Sequence, residues 1–240
     1  IMDGLVGSEM CIRDSPRASR TTPFVSKSTN VPLAKIAAQL SVGQKLKNYN
    51  LPRWDSINHV SIKEAVLPFN KFPAESIFLS PEMKSTGEVM GISENFGLSF
   101  YKATLSAGIK LPESGLVFIS VNNEDKFKII SIARAFKELG FNIVATEGTA
   151  KELIKNGMLA ETVYKVGEGR PNIVDRIKNN EIDLVINTPL GAQSRYDEEA
   201  IGKACIQKSI MAITTLSAAD AVLYAIRTKN KIKVKSIQEY

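Results

Sequence analysis

Histidine is almost missing from this chain: His59 is the one copy, and the cysteines number two, Cys11 and Cys205. Two cysteines so far apart exclude a disulfide framework and any CxxC metal site. A lone histidine without an acidic or nucleophilic partner nearby in sequence leaves no conventional general base, so His59 is read as structural. No apolar run reaches the roughly 18 residues that mark a bilayer span, so no membrane partner is expected. Aromatic residues make up only 7% of the chain and do not interleave with its dispersed Lys and Arg. The formal charge of +6 therefore points to a small anionic partner rather than to nucleic acid. The expected compartment is the reducing cytoplasm.

What is present is a 240-residue chain, 44% hydrophobic and 23% charged, enough for one large or two modest globular domains. Residues 1–15 carry no periodicity that continues beyond Ser15, no basic segment and no long apolar core, and read as a non-native leader that takes Cys11 with it. After Pro32, the residues Leu33, Ile36, Ala37 and Leu40 recur at helical spacing and Gly43 ends the helix. Ser93 to Ala107 reads as another helix, with Phe96, Phe100, Ala103 and Ala107 on one face and Ser93 as its N-cap. Gly108, Pro112 and Gly115 break that pattern, so 93–113 is expected to be a connecting helix and linker.

From residue 114 onward strand and helix signals alternate five times, the pattern of a five-stranded parallel doubly wound α/β sheet. The expected strands are Leu116–Val121, Asn142–Ala145, Thr162–Val166, Leu184–Asn187 and Met211–Thr214, with helices starting at Asp125, Gly148, Asn172, Tyr196 and Ala218. Right-handed crossovers place every strand end on one edge. There Lys126, the Thr146-Glu147-Gly148-Thr149 turn, Lys165 and Asn187 converge with Thr214. Gly148 and Thr149 open a helix whose free N–H groups favour an anion, and Lys126 and Lys165 supply countercharge. Asn187 offers a donor and an acceptor for a ribose or base edge. This region has no histidine and no carboxylate paired with a nucleophile, which favours binding over catalysis. Cys205 is read as a small core residue.

Longer strings carry a resemblance. The stretches PRASRT from Pro16, PFVSK from Pro23, VPLAKIA from Val31, VLPFNKFP from Val66 and SPEMKSTGEVMG from Ser80 are similar to the close of the second ATP-grasp unit in carbamoyl-phosphate synthase large chains. The resemblance makes 16–92 an α+β remnant of that unit and 114–240 the methylglyoxal-synthase-like allosteric domain. It implies ATP-dependent synthesis of carbamoyl phosphate from bicarbonate and glutamine-derived ammonia, for pyrimidine and arginine biosynthesis. ATP and Mg2+ (or Mn2+) belong to the intact enzyme, and the remaining large chain and a small glutaminase chain are its partners. In the family an Asn-Pro-Arg triplet serves metal and phosphate. Here Ser15 replaces the Asn, leaving Arg17 and Arg20 as phosphate candidates and no metal site, so the fragment alone is expected to be inactive and to hold no cofactor.

The same resemblance implies a nucleotide monophosphate effector, such as uridine or inosine monophosphate. Ser120, Lys126, Thr146, Gly148, Thr149, Lys165, Val166 and Asn187 are its expected contacts. Pro189 departs from relatives with a hydroxyl there. Glu64 and Thr214 match positions of an ornithine site, while Ala212 replaces an aromatic residue. The free-standing lyases of this superfamily carry Asp-Pro after the fourth strand, where this chain has Thr188-Pro189. The alternative reading, a stand-alone methylglyoxal-synthase-like lyase on a triose phosphate, lacks that carboxylate.

Overall fold

A computed structural model of the chain describes residues 19–67, 69, 85–189 and 194–240. Two short helices come first, α1 (Thr21–Thr29) and α2 (Leu33–Ser41), with Asn30 between them at φ 55°. Pro23 falls in the first turn of α1, where its missing N–H leaves no bond unmade. Gly43, at φ +94°, turns the chain away beyond α2 as the sequence pattern predicts. An antiparallel hairpin comes next, β1 (Val60–Val66) paired with β2 (Gly87–Ser93) in a register that sets Val60 opposite Ser93 and Val66 opposite Gly87. It is absent from the sequence expectations because no short turn signal joins the two strands. Arg20 and Lys63 both reach Glu88, at 3.6 and 3.4 Å, which ties the start of α1 to the hairpin.

Helix α3 (Phe96–Ser106) starts later than expected. Ser93 is not its cap: pairing with β1 carries through Ser93, and Asn95 in extended conformation accepts a hydrogen bond from the Leu98 N–H at 3.0 Å instead. His59, as read, is structural, with Nε2 2.7 Å from the Ser28 carbonyl oxygen.

The remaining chain alternates strand and helix: β3 (Gly115–Val121), α4 (Lys126–Glu138), β4 (Phe141–Thr146), α5 (Glu147–Lys155), β5 (Glu161–Val163), α6 (Ile173–Lys178), β6 (Leu184–Thr188), α7 (Ser194–Lys208), β7 (Met211–Ile213) and α8 (Leu216–Thr228). The five strands form one all-parallel sheet in the order β5-β4-β3-β6-β7. β3 reads as a continuous apolar run because both of its faces are covered. Val117 and Ile119 pack with Ile129 and Phe136 of α4, Leu153 of α5 and Val222 of α8, whereas Phe118 faces Ile173, Ile177, Ile201 and Cys205 of α6 and α7. Full burial of side chains such as Phe118 contributes about 1.5–3 kcal/mol each. Burial also pushes the Cys205 thiol up to about 12, consistent with its reading as a core residue. The third expected strand, Thr162–Val166, stops at Val163: only an isolated bridge from Tyr164 to Asn172 lies beyond it, so Lys165 and Val166 lie in a turn.

Helix α3 is wedged between the hairpin and α8. A Cβ at Gly97 would lie 2.6 Å from the backbone oxygen of Tyr224 and from Thr228 Oγ1, and one at Gly91 would lie 2.5 Å from the Ala103 nitrogen. These glycines permit backbone contact between the two halves. Gly97→Ala is expected to cost about 1–3 kcal/mol in urea denaturation, whereas Gly87→Ala, whose Cβ meets nothing within 4 Å, should leave the midpoint nearly unchanged. Equal effects would contradict this packing.

Glu64, half-buried in β1, has its pKa raised by burial, which outweighs a lowering backbone hydrogen bond at Ala65. A carboxyl raised in the folded state makes the native form bind the proton more tightly. Stability therefore falls as pH climbs from the ordinary carboxylate value through the raised one. Glu64→Gln is expected to raise the melting temperature at pH 7, with the gain vanishing toward about pH 4; a gain that grows on acidification would contradict the assignment.

Candidate functional site

The strand order creates the site. From β3 the chain crosses through α4 to β4 on one side, while β6 pairs with β3 on the other, so the helices leaving these strands part at the carboxyl edge of β3. Such a reversal leaves a crevice outside the strand ends. A cavity of about 400 Å³ opens there, and all eight expected effector contacts line it: Ser120, Lys126, Thr146, Gly148, Thr149, Lys165, Val166 and Asn187.

One wall is built on the N-terminus of α5. Thr146 adopts an extended conformation at the N-cap, and Thr146 and Thr149 are 4% and 1% exposed. Thr149 Oγ1 accepts from the Val121 N–H at 3.3 Å, while Thr146 Oγ1 lies 3.3 Å from Ser120 Oγ and 3.4 Å from Thr149 Oγ1. This links the ends of β3 and β4 to the first turn of α5 through hydroxyls. Lys126, the first residue of α4, leans across that turn: a Cβ added to Gly148 would lie 3.3 Å from its Nζ. The Glu147 carboxylate next door is exposed and held at 2.7 Å by Lys151. An ammonium beside the positive end of a helix is an electrostatically unfavourable pairing that an anion relieves.

Asn122 fixes the approach to Lys126. Its Oδ1 accepts from the N–H groups of Glu124 and Asp125 at 2.9 and 3.1 Å, and its Nδ2 donates to Asp125 Oδ2 at 2.9 Å. Its backbone N–H also donates to Thr188 Oγ1 at 3.3 Å. Thr188 is thus a buried hydroxyl that latches β6 to the turn after β3. Asn122 lines the cavity, and its Asn-x-x-Asp turn spacing is the sequence signal that would have found it.

The other wall belongs to α6, α7 and the turn after β5. Val166, Ile173 and Ile201 supply apolar surface, and Asn187 sits in register with Ser120 on the strand edge. Asn172 caps α6 through a capping box with Asp175, holding the turn that carries Lys165 and Val166. Lys165 is half-exposed, with Nζ 3.7 Å from Glu168 Oε1. Asp197, in the first turn of α7, also lines the cavity and was not among the expected residues. Burial raises its pKa, against a lowering influence from Lys165 and with a further raise from Glu168. Nothing in the local sequence distinguishes it from an exposed helix acid; only the packing of α7 brings it to the cavity.

Arg20 donates to Ser85 Oγ at 2.7 Å and pairs with Glu88, and Arg17 lies outside the described residues. Thr214 is exposed and lines a second, more open cavity of about 850 Å³ with Asp125, Arg134 and Asp220, in which Glu64 has no part. Among the described residues, no three His, Cys, Asp or Glu side chains are grouped to hold a metal ion, and no helix is long and apolar enough to cross a membrane.

Comparison with known proteins bears on this geometry. Residues 128–214 match the MGS-like domain family. The chain is 49% identical to the carbamoyl phosphate synthase large chain of Archaeoglobus fulgidus over 99% of its own length and 23% of that protein. It is 52% identical to the large chain of Acidobacterium capsulatum over 92% of its length and 21% of that protein. It is 48% identical to the large chain, C-terminal section, of Aquifex aeolicus over 94% of its length and 46% of that protein. The chain thus spans about a fifth to a half of the curated relatives it matches. Among solved structures, one described as the crystal structure of ForH covers 49% of this chain and 82% of its own, at 16% identity and a TM-score of 0.35, a likeness too slight to argue from. With an all-parallel sheet as its frame and an MGS-like domain at 128–214, the chain belongs among the relatives of carbamoyl phosphate synthase large chains.

Proposed function

We propose that residues 114–240 are the effector-receiving domain of a carbamoyl-phosphate-synthesising enzyme, and that the cavity takes a nucleotide monophosphate. One observation carries the reading. Lys126 Nζ and the N-terminus of α5 are set side by side next to the buried hydroxyls of Thr146 and Thr149, an arrangement suited to a terminal phosphate. Ser120 and Asn187 then offer hydrogen bonds to the ribose, and Val166, Ile173 and Ile201 apolar cover for the base. Uridine and inosine monophosphates are the expected ligands.

In this reading residues 16–92 are the end of an ATP-grasp unit and 93–113 its connection to the effector domain. The parent enzyme is a cytoplasmic ligase of pyrimidine and arginine biosynthesis. It joins bicarbonate and glutamine-derived ammonia at the expense of ATP, with Mg2+ or Mn2+ and a small glutaminase chain. Arg20 is engaged by Ser85 and Glu88, which leaves it as a structural tie between α1 and the hairpin. The role of this chain is to bind. Its effector changes synthesis elsewhere only by binding two arrangements of the enzyme unequally, typically a coupling of about 1–3 kcal/mol.

Calorimetric titration with uridine and inosine monophosphates, with inorganic phosphate as control, tests the reading. Lys126→Ala removes a charge-assisted contact of about 1.5–3 kcal/mol and should weaken nucleotide binding about tenfold or more. Unchanged affinity would place the phosphate elsewhere and contradict the proposal.

A further inference from the structure

After α8 the chain crosses back to the hairpin, and its contacts there serve no part of the crevice at β3. It sets out from Lys229, which is buried and ion-paired with Glu113 in the connection between α3 and β3. Residues 230–240 contain no buried side chain, and Val234 is 97% exposed, so this segment is held at its ends. At the far end a capping box between Ser236 and Glu239 turns the chain inward and sets Tyr240 against the hairpin. The Tyr240 hydroxyl lies 3.3 Å from the Ile92 carbonyl oxygen of β2, which also accepts from Lys102 Nζ at 2.9 Å. The ring meets His59 edge-on, with centroids 5.6 Å apart. Two ammonium groups face the same ring, Lys102 Nζ at 5.8 Å and Lys235 Nζ at 5.4 Å from its centroid. Lys235 also holds Glu94, between β2 and α3, at 3.0 Å.

We infer that residues 230–240 are a releasable strap with Tyr240 as its anchor. Fastened, it makes the hairpin and the α/β domain move as one; released, it leaves the hairpin joined to that domain chiefly through α3 and able to open by itself. The physical ground is the kind of contact that holds it. An ammonium over an exposed aromatic face and an ion pair in solvent are each modest. A fastening made of such contacts opens more readily than the sheet, whose strands are covered on both faces. Glu94 and Lys235 each favour the charged form of the other, chiefly through the hydrogen bond between them, which lowers the Glu94 pKa and raises that of Lys235. Lys235 therefore contributes charge, toward the Tyr240 ring on one side and Glu94 on the other. The inference does not depend on the nucleotide reading above.

The test is amide hydrogen exchange of the 240-residue chain, read at the backbone of β1 and β2 against that of β3 and β4. Tyr240→Ala should lower protection in the hairpin by about tenfold or more, while β3 and β4 stay within about twofold of the parent chain. Lys235→Arg keeps the charge and should leave hairpin protection at the parent level, whereas Lys235→Gln should lower it about two- to fivefold. Unchanged hairpin protection in Tyr240→Ala overturns the inference. A loss spread equally over hairpin and sheet overturns it too, since that is general destabilisation rather than release of one part. Equal protection of the Lys235→Arg and Lys235→Gln chains also contradicts it, because the strap would then not be fastened by charge.

Discussion

The structure depends on β3 being parallel to both of its neighbours. A parallel neighbour is reached only by a crossover that returns the chain to the starting edge, and here β4 flanks β3 on one side while β6 flanks it on the other. That divergence makes β3 a strand buried on both faces and opens a gap at its carboxyl end. The core and the cavity are thus two consequences of one topology. Val117, Phe118 and Ile119 hold the strand by burial, and the residues immediately beyond, Ser120 to Lys126, are left to serve the gap.

Charge within the gap arises from the same arrangement. Helices α4 and α5 both begin at this edge, so their positive ends meet there, and Lys126 adds a full charge to them. Lys165, half in solvent and beside Glu168, is screened. The two lysines that look equivalent in the sequence therefore differ in setting: Lys126 lies beside the first turn of α5, Lys165 beside Glu168. The rest of the chain is mechanically close: α3 presses against α8 through Gly97, and β2 presses against α3 through Gly91. The terminal Tyr240 returns to the hairpin, its hydroxyl 3.3 Å from the Ile92 carbonyl oxygen and its ring edge-on to His59. Movement of α8 would be felt by the hairpin through backbone contact rather than through pliable side chains.

Much of this was legible in the sequence where local pattern and long-range packing agree. Buried parallel strands read as apolar runs, and alternation alone places the five strand ends on one edge. The start of the helix after β4 was legible to within one residue, Gly148 against the observed Glu147, because the apolar run of β4 ends at once in the Thr146 cap. Three features were not. The hairpin of β1 and β2 was missed because its pairing spans a long intervening sequence rather than a short turn of about two to five residues. The cap of α3 was set at Ser93 rather than Asn95 because strand pairing with Val60 extends β2, and only the partner strand reveals that. Asp197 was missed because helix α7 brings it to the cavity by tertiary packing, with no signal of its own.

The most direct test of the account is a crystal structure of the chain with inosine monophosphate bound. The account predicts a phosphate oxygen within hydrogen-bond distance of Lys126 Nζ and of backbone N–H groups in the first turn of α5, with the base lying between Val166 and Ile201. A phosphate seated instead in the more open cavity beside Thr214 and Arg134, with the crevice at β3 empty, would contradict it.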